Sequence, residues 1–242
     1  DLASHGIYLS NVYGVNVSSN TVYVPGSSSF GMYLRTSDDA NLTSNKVIST
    51  LDSSALYLSS TENAYLRNNE FNTTNGRAFV ISPSSSLGAD YVHDIDQSNL
   101  AEGLPILFNV SVSDTVILEN IDVSATYGQV ICSNCSNVTF DNVTFDNDGL
   151  SMYGSSDVHV YNSYIASTNA DPVYYAFVTG GDFINTTFNV SVVDAYALYL
   201  ARTDDLNVQN SEFHSSLGGG MFAYISDNNM FTNITISGNS SA

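Results

Sequence analysis

The sequence predicts an all-β chain wound as a parallel β-solenoid of about ten coils, roughly 24 residues each. Three observations predict it. A six-residue pattern recurs along the whole chain. A short apolar run precedes nearly every copy. No segment sustains a 3.6-residue apolar period, and 4 prolines with 16 glycines suit turns better than helices.

The pattern reads apolar, any, Asn or Ser, any, any, apolar. Its copies are VSSNTV at 17–22, LTSNKV at 42–47, LRNNEF at 66–71, LENIDV at 118–123 and FDNVTF at 140–145. VYNSYI at 160–165, FINTTF at 183–188, VQNSEF at 208–213 and FTNITI at 231–236 continue it, and the degenerate VHDIDQ at 92–97 fills the one gap. The preceding runs include GIYL (6–9), GMYL (31–34), ALYL (55–58), AFVI (78–81), VIC (130–132), AFV (176–178) and ALYL (197–200). β-branched and aromatic residues between Ser, Asn and Gly clusters mark them as strands. The coils tile residues 1–242 as a single domain.

Two residues past each anchor stand Ser19, Ser44, Asn68, Asp94, Asn120, Asn142, Asn162, Asn185, Asn210 and Asn233. Asn tolerates the left-handed backbone that a sharp bend requires, and its amide can bond the same residue one coil away, about 4.8 Å distant. The expectation is a buried Asn ladder. The anchors and the residues five later (Val22, Val47, Phe71, Val123, Phe145, Ile165, Phe188, Phe213, Ile236) should form interior apolar columns. Gln97 interrupts the second column.

With 24 acidic and 5 basic residues the net charge is -19. A polyanion needs a basic footprint, so nucleic acid is excluded as a partner. No apolar run is long enough for a membrane span and no signal peptide is legible. The chain starts at Asp1 rather than Met, which points to a processed secreted protein or a fragment.

The Gly-aliphatic-Tyr-Leu strand followed by an Asn-bearing corner resembles the right-handed parallel β-helices of carbohydrate-binding proteins and sugar hydrolases, the pectate-lyase-like superfamily. That resemblance implies a right-handed coil. The Asn/Ser/Thr-rich, Lys-poor texture is similar to β-helix repeats of secreted archaeal surface proteins, with a methanogen sheath protein as the narrower candidate. Ser4-His5-Gly6, Asp38-Asp39 and Asp204-Asp205 match only fragments of the polygalacturonase pattern, and each pair reads better as turn residues.

The best catalytic alternative is an outer-face acidic cluster, Glu70, Asp96, Glu119, Asp122 and Asp141, with Arg67 and His93 nearby in the repeat. Neighbouring carboxylates could raise one another's pKa for acid/base work or hold Ca²⁺. A solvated acidic face is the simpler reading. No metal site is expected from the four histidines, which fall in different columns. For Cys132 and Cys135 the readings, in order, are a local disulfide, an intermolecular cross-link, and free thiols or metal. Eleven glycosylation sequons occur, of which Asn72 and Asn239 are the candidates because they fall in loops. Asn142, Asn185 and Asn233 belong to the ladder and should be buried.

Alternation places Tyr8, Tyr33, Tyr57, Val80, Leu107, Ile131 and Tyr199 outward as an apolar stripe. A long stripe calls for a partner. If this is the mature chain, neither terminus has room for a cap and coils could stack end to end at about 48 Å per subunit; if it is a fragment, the missing flanks hold the caps. The function expected is an extracellular structural protein that self-assembles into a cell-surface layer, sheath or filament, with other surface proteins or polysaccharide as further partners. A polysaccharide-acting enzyme and a carbohydrate-binding module are the alternatives.

Overall fold

The computed structural model describes residues 5–26, 29–50, 53–83 and 89–238. The chain forms two compact units, Asp1–Phe108 with Tyr127–Gln129, and Asn109–Thr126 with Val130–Ala242. Each is a parallel β-solenoid. Among the described residues the one helical element is the 3₁₀ turn Ala89–Tyr91, and no helix is long and apolar enough to cross a membrane.

In the first unit each coil supplies three short strands. Ile7–Ser10, Met32–Arg35, Leu56–Ser59 and Phe79–Ser82 form one parallel sheet, with Tyr8, Tyr33, Tyr57 and Val80 on one rung column. Asn16–Ser18, Asn41–Thr43, Tyr65–Arg67 and Asp94–Ile95 form the second. Thr21–Val24, Lys46–Ser49, Glu70–Thr73 and Leu100–Ala101 form the third. One pairing departs from the parallel rule: Leu100–Ala101 also meets Leu104 and Pro105 antiparallel. Met32, Leu34, Leu42, Val47, Leu56, Leu58, Leu66 and Phe71 are fully buried, and each such large apolar side chain contributes about 1.5–3 kcal/mol. Glycine opens the first two strand runs for a steric reason. A Cβ on Gly6 or Gly31 would sit 2.6 Å from the carbonyl oxygen of Gly31 or Ala55 in the next coil.

The second unit repeats the plan. Residues 130–133 of Gln129–Ser133 pair with Leu150–Tyr153, followed in order by Val173–Ala176, Tyr196–Ala201 and Gly219–Tyr224. The other faces run from Ser113–Asp122 through Ser136–Phe145 to paired shorter strands, ending in Met230–Thr232 and Thr235–Gly238. Phe140, Phe145, Phe183, Phe188 and Phe213 fill the interior, with Phe188 and Phe213 stacked at 4.9 Å.

The bends follow a rule in every coil but the fourth. Three left-handed residues recur per regular coil: Asn11, Gly14 and Ser19, then Thr36, Asp39 and Ser44, then Ser60, Asn63 and Asn68 in the first unit. In the second unit the triplets start at Ser111, Asn134, Gly154, Phe177, Arg202 and Ile225. The steps are three and five residues, save one step of six where the ladder of Ser113–Asp122 slips between Val116 and Leu118. Asp39 and Asp205 are bend residues of this series, while Asp38 and Asp204 each accept a backbone N–H from the next coil.

Several expectations require correction. The asparagines two past the anchor have the left-handed backbone, but Asn68, Asn120, Asn142, Asn162, Asn185, Asn210 and Asn233 are exposed. A left-handed residue uses up one step of the inward-outward alternation, so the next residue points in. The inward ladder is therefore Asn20, Asn45, Asn69 and Asn99, the last three buried, and in the second unit hydroxyls such as Ser163, Thr186 and Ser211 take its place. Coil four is anchored by Ile95, paired with Leu66, while Val92 is 37% exposed. Its interior column is closed by Ala101 opposite Phe71, not by Gln97. One strand also shifts: Val173–Ala176 is extended, and Phe177 is a bend. At the far edge Ile236 is 53% exposed although its rung partner Phe213 is buried.

Candidate functional site

In the first unit the outward column gathers rings from more than one segment. His5 stacks on Phe30 at 5.3 Å, Phe30 stacks on Tyr57 at 4.2 Å, and Tyr33 meets Tyr57 edge-on at 5.4 Å. The imidazole Nδ1 of His5 accepts the Phe30 backbone N–H at 3.0 Å. Burial pushes the Tyr57 phenol up. In the second unit Tyr174, Tyr199 and Phe222 pile face to face at 4.8 and 4.9 Å, with Tyr196 against Phe222. These rings spend their faces on one another, which is the arrangement of a structural pile rather than a row of open platforms.

Each unit thus carries an aromatic cluster of its own. Tyr8 is 49% exposed, while Tyr33, Tyr57, Leu107 and Tyr199 are half-buried. Val80 is buried because the turn Ala89–Tyr91 packs on its strand. Ile131 is buried because both faces of Gln129–Ser133 are covered. Phe30, Tyr174, Tyr196 and Phe222 were not among the expected stripe. Tyr174 and Phe222 share the rung column of Tyr199 and could be found by counting coils; Phe30 lies off any strand and could not.

The acidic residues do not converge. Glu70 pairs with Lys46 at 2.7 Å, which holds its carboxyl below the ordinary range. Arg67 lies over the Tyr65 ring and pairs with Asp94 at 2.6 Å and Asp96 at 3.0 Å. In the second unit Glu119 and Asp141 are rung partners, Asn162 donates to Asp141 at 2.9 Å, and Asp122 caps Ser124. Among the described residues no group of three or more His, Cys, Asp and Glu could hold a metal ion. His93 is buried and its Nδ1 accepts the Ala64 N–H, which removes it from any surface site.

A polar group missed in the sequence lies on the second unit's outer face. His159 Nδ1 is 2.9 Å from Asp182 Oδ2, Tyr161 donates to the same oxygen at 3.3 Å, and Asn207 donates to Oδ1 at 2.9 Å. His159, Asp182 and Asn207 each precede their anchor by one residue, so the repeat itself carried the signal.

Cys132 and Cys135 form a local disulfide and are buried. The ladder asparagines pair on the surface: Asn142 to Asn120, Asn185 to Asn162 and Asn233 to Asn210. Their sequons are therefore accessible, against the expectation of burial. Asn72 is half-buried and donates to Glu70 at 2.9 Å; Asn239 lies outside the described residues.

No protein-family model and no curated protein matches the chain. Among solved structures it is similar to HetL, a pentapeptide repeat protein involved in heterocyst differentiation regulation from the cyanobacterium Nostoc sp. strain PCC 7120. The identity is 10% over 92% of this chain and 87% of that one, with a TM-score of 0.16.

Proposed function

We propose that this chain is an extracellular structural subunit that self-assembles into a cell-surface layer, sheath or filament. One observation carries the reading. In the first unit Tyr8, Tyr13 and Tyr23 are 49%, 75% and 64% exposed, apolar side chains that suit lateral contact with another copy of the chain.

The disulfide supports an oxidising, extracellular setting. The inward ladder Asn20–Asn45–Asn69–Asn99 supports an affinity with the pectate-lyase-like β-helices, and the acidic, lysine-poor composition supports an archaeal sheath protein as the narrower reading.

Negative-stain electron microscopy at moderate salt tests the proposal. Filaments, hoops or tubes are expected, and Tyr13→Lys or Tyr23→Lys should reduce them to single particles. Isolated particles at every concentration of the unaltered chain would overturn it.

A further inference from the structure

Glu212 and His214 face outward from Glu212–Ser215, and Ser237, the rung partner of His214, faces outward from Thr235–Gly238. His214 Nε2 lies 3.0 Å from Glu212 Oε2, and Nδ1 lies 2.6 Å from Ser237 Oγ. An ionised carboxylate only accepts, so in the neutral imidazole Nε2 carries the proton and Nδ1 presents its lone pair. In that state Ser237 donates its hydroxyl proton to Nδ1. Hydroxyl, base and orienting acid stand in the order that activates a serine nucleophile.

The hydroxyl is reachable. Ser237 and His214 border an open surface depression of about 290 Å³, lined also by Asn189, Ser215, Ser216 and Gly238. None of these carries a full charge apart from a protonated imidazole, and a chain of net charge -19 repels acidic ligands. The His159 group makes the contrast plain: its hydroxyl, Tyr161, donates to the acid rather than to the imidazole, so nothing there is activated.

We propose that Ser237, His214 and Glu212 form a nucleophilic acyl-transfer site for small uncharged carboxylic esters. Ser237 Oγ bonds to the ester carbonyl carbon as its proton passes to His214 Nδ1. The ester C–O bond then breaks, and the imidazolium returns the proton to the departing alkoxide. Water, deprotonated by the same imidazole, cleaves the acyl-serine, releases the acid and restores the hydroxyl. Glu212 keeps the imidazole in the working tautomer.

The test is covalent labelling of the purified chain with a fluorophosphonate, in which Ser237 Oγ bonds to phosphorus and fluoride leaves. Peptide mass spectrometry should place a single adduct on Ser237. Ser237→Ala should abolish it, His214→Ala should slow labelling by roughly 100-fold or more, and Glu212→Gln by roughly tenfold. Hydrolysis of 4-nitrophenyl butyrate should fall in the same order. All three side chains lie at the surface, so far-ultraviolet circular dichroism should show each variant folded. No adduct under excess reagent, labelling spread over other serines at equal rate, or labelling undiminished in His214→Ala would overturn the proposal.

Discussion

Asn45 and Asn69 lock successive coils through one oxygen: Asn69 Oδ1 accepts both the side-chain amide and the backbone N–H of Asn45, each at 3.0 Å. Asn69 in turn donates to Asn99 at 2.8 Å and to the Leu42 carbonyl at 2.8 Å. All of this is buried, so every donor depends on its neighbour.

Replacing Asn69 by Ala strands two donors of Asn45 in the interior. The expected cost is about 3 kcal/mol, read as a lower urea midpoint. Asn68→Ala, one residue away but exposed, should cost well under half as much. Equal losses would show that the ladder contributes nothing special.

The disulfide closes a very short loop, so its effect on the unfolded chain is modest, about 2 kcal/mol. Reduction should lower stability by no more than that. Because Cys132 and Cys135 are buried and bonded to each other, non-reducing gels should show no disulfide-linked oligomers. Cross-linked species that vanish with reductant would contradict the local pairing.

His93 titrates at about 4, lowered by burial from 6.5. A depressed histidine contributes stability that is fully present above 6.5 and is lost as pH falls towards 4, because the unfolded chain takes up the proton first. Urea midpoints should hold steady above pH 6.5 and drop below it, by up to about 3 kcal/mol. His93→Gln should flatten the part of that drop which His93 causes.

Ile225 occupies a bend with φ 48 and is 58% exposed. A β-branched residue is strained there. Ile225→Asn should raise stability by about 1 kcal/mol, visible as a higher midpoint in thermal melts of the dispersed chain. A drop would mean the side chain makes a contact that outweighs the strain.

The coil period was legible because every regular coil places an apolar residue at the same two phases, and Leu42, Leu66, Phe140 and Phe183 are all interior. The ladder was misplaced by one residue, since counting letters does not reveal that a left-handed residue such as Ser44 or Asn68 spends a step of alternation. Coil four slipped because apolar Val92 stands three residues ahead of the true anchor Ile95, in a coil that carries an extra residue at its bend. The acids could be assigned to a face from the repeat, but not their neutralisation by Lys46 and Arg67, which depends on side-chain reach. Asn189, His214 and Ser237 share a phase of the repeat and so were within reach of the sequence. Their hydrogen bonding was not.

The spacing of the three bends has a bearing on how such a chain can change length. From the first bend of a regular coil to the third, the count is held, as in Asn134, Asn137 and Asn142 or Arg202, Asp205 and Asn210, the coils of Ile95 and of Ser113–Asp122 each taking one extra residue. From the third bend to the next coil it varies more: Asn142 is followed by Gly154, but Asn185 by Arg202. Larger insertions and deletions are thus absorbed in one connection per coil, where a segment such as 191–194 can be lengthened without shifting a single rung. That connection is where foreign peptides would be grafted, and where gene duplication could add whole coils while leaving their neighbours in phase.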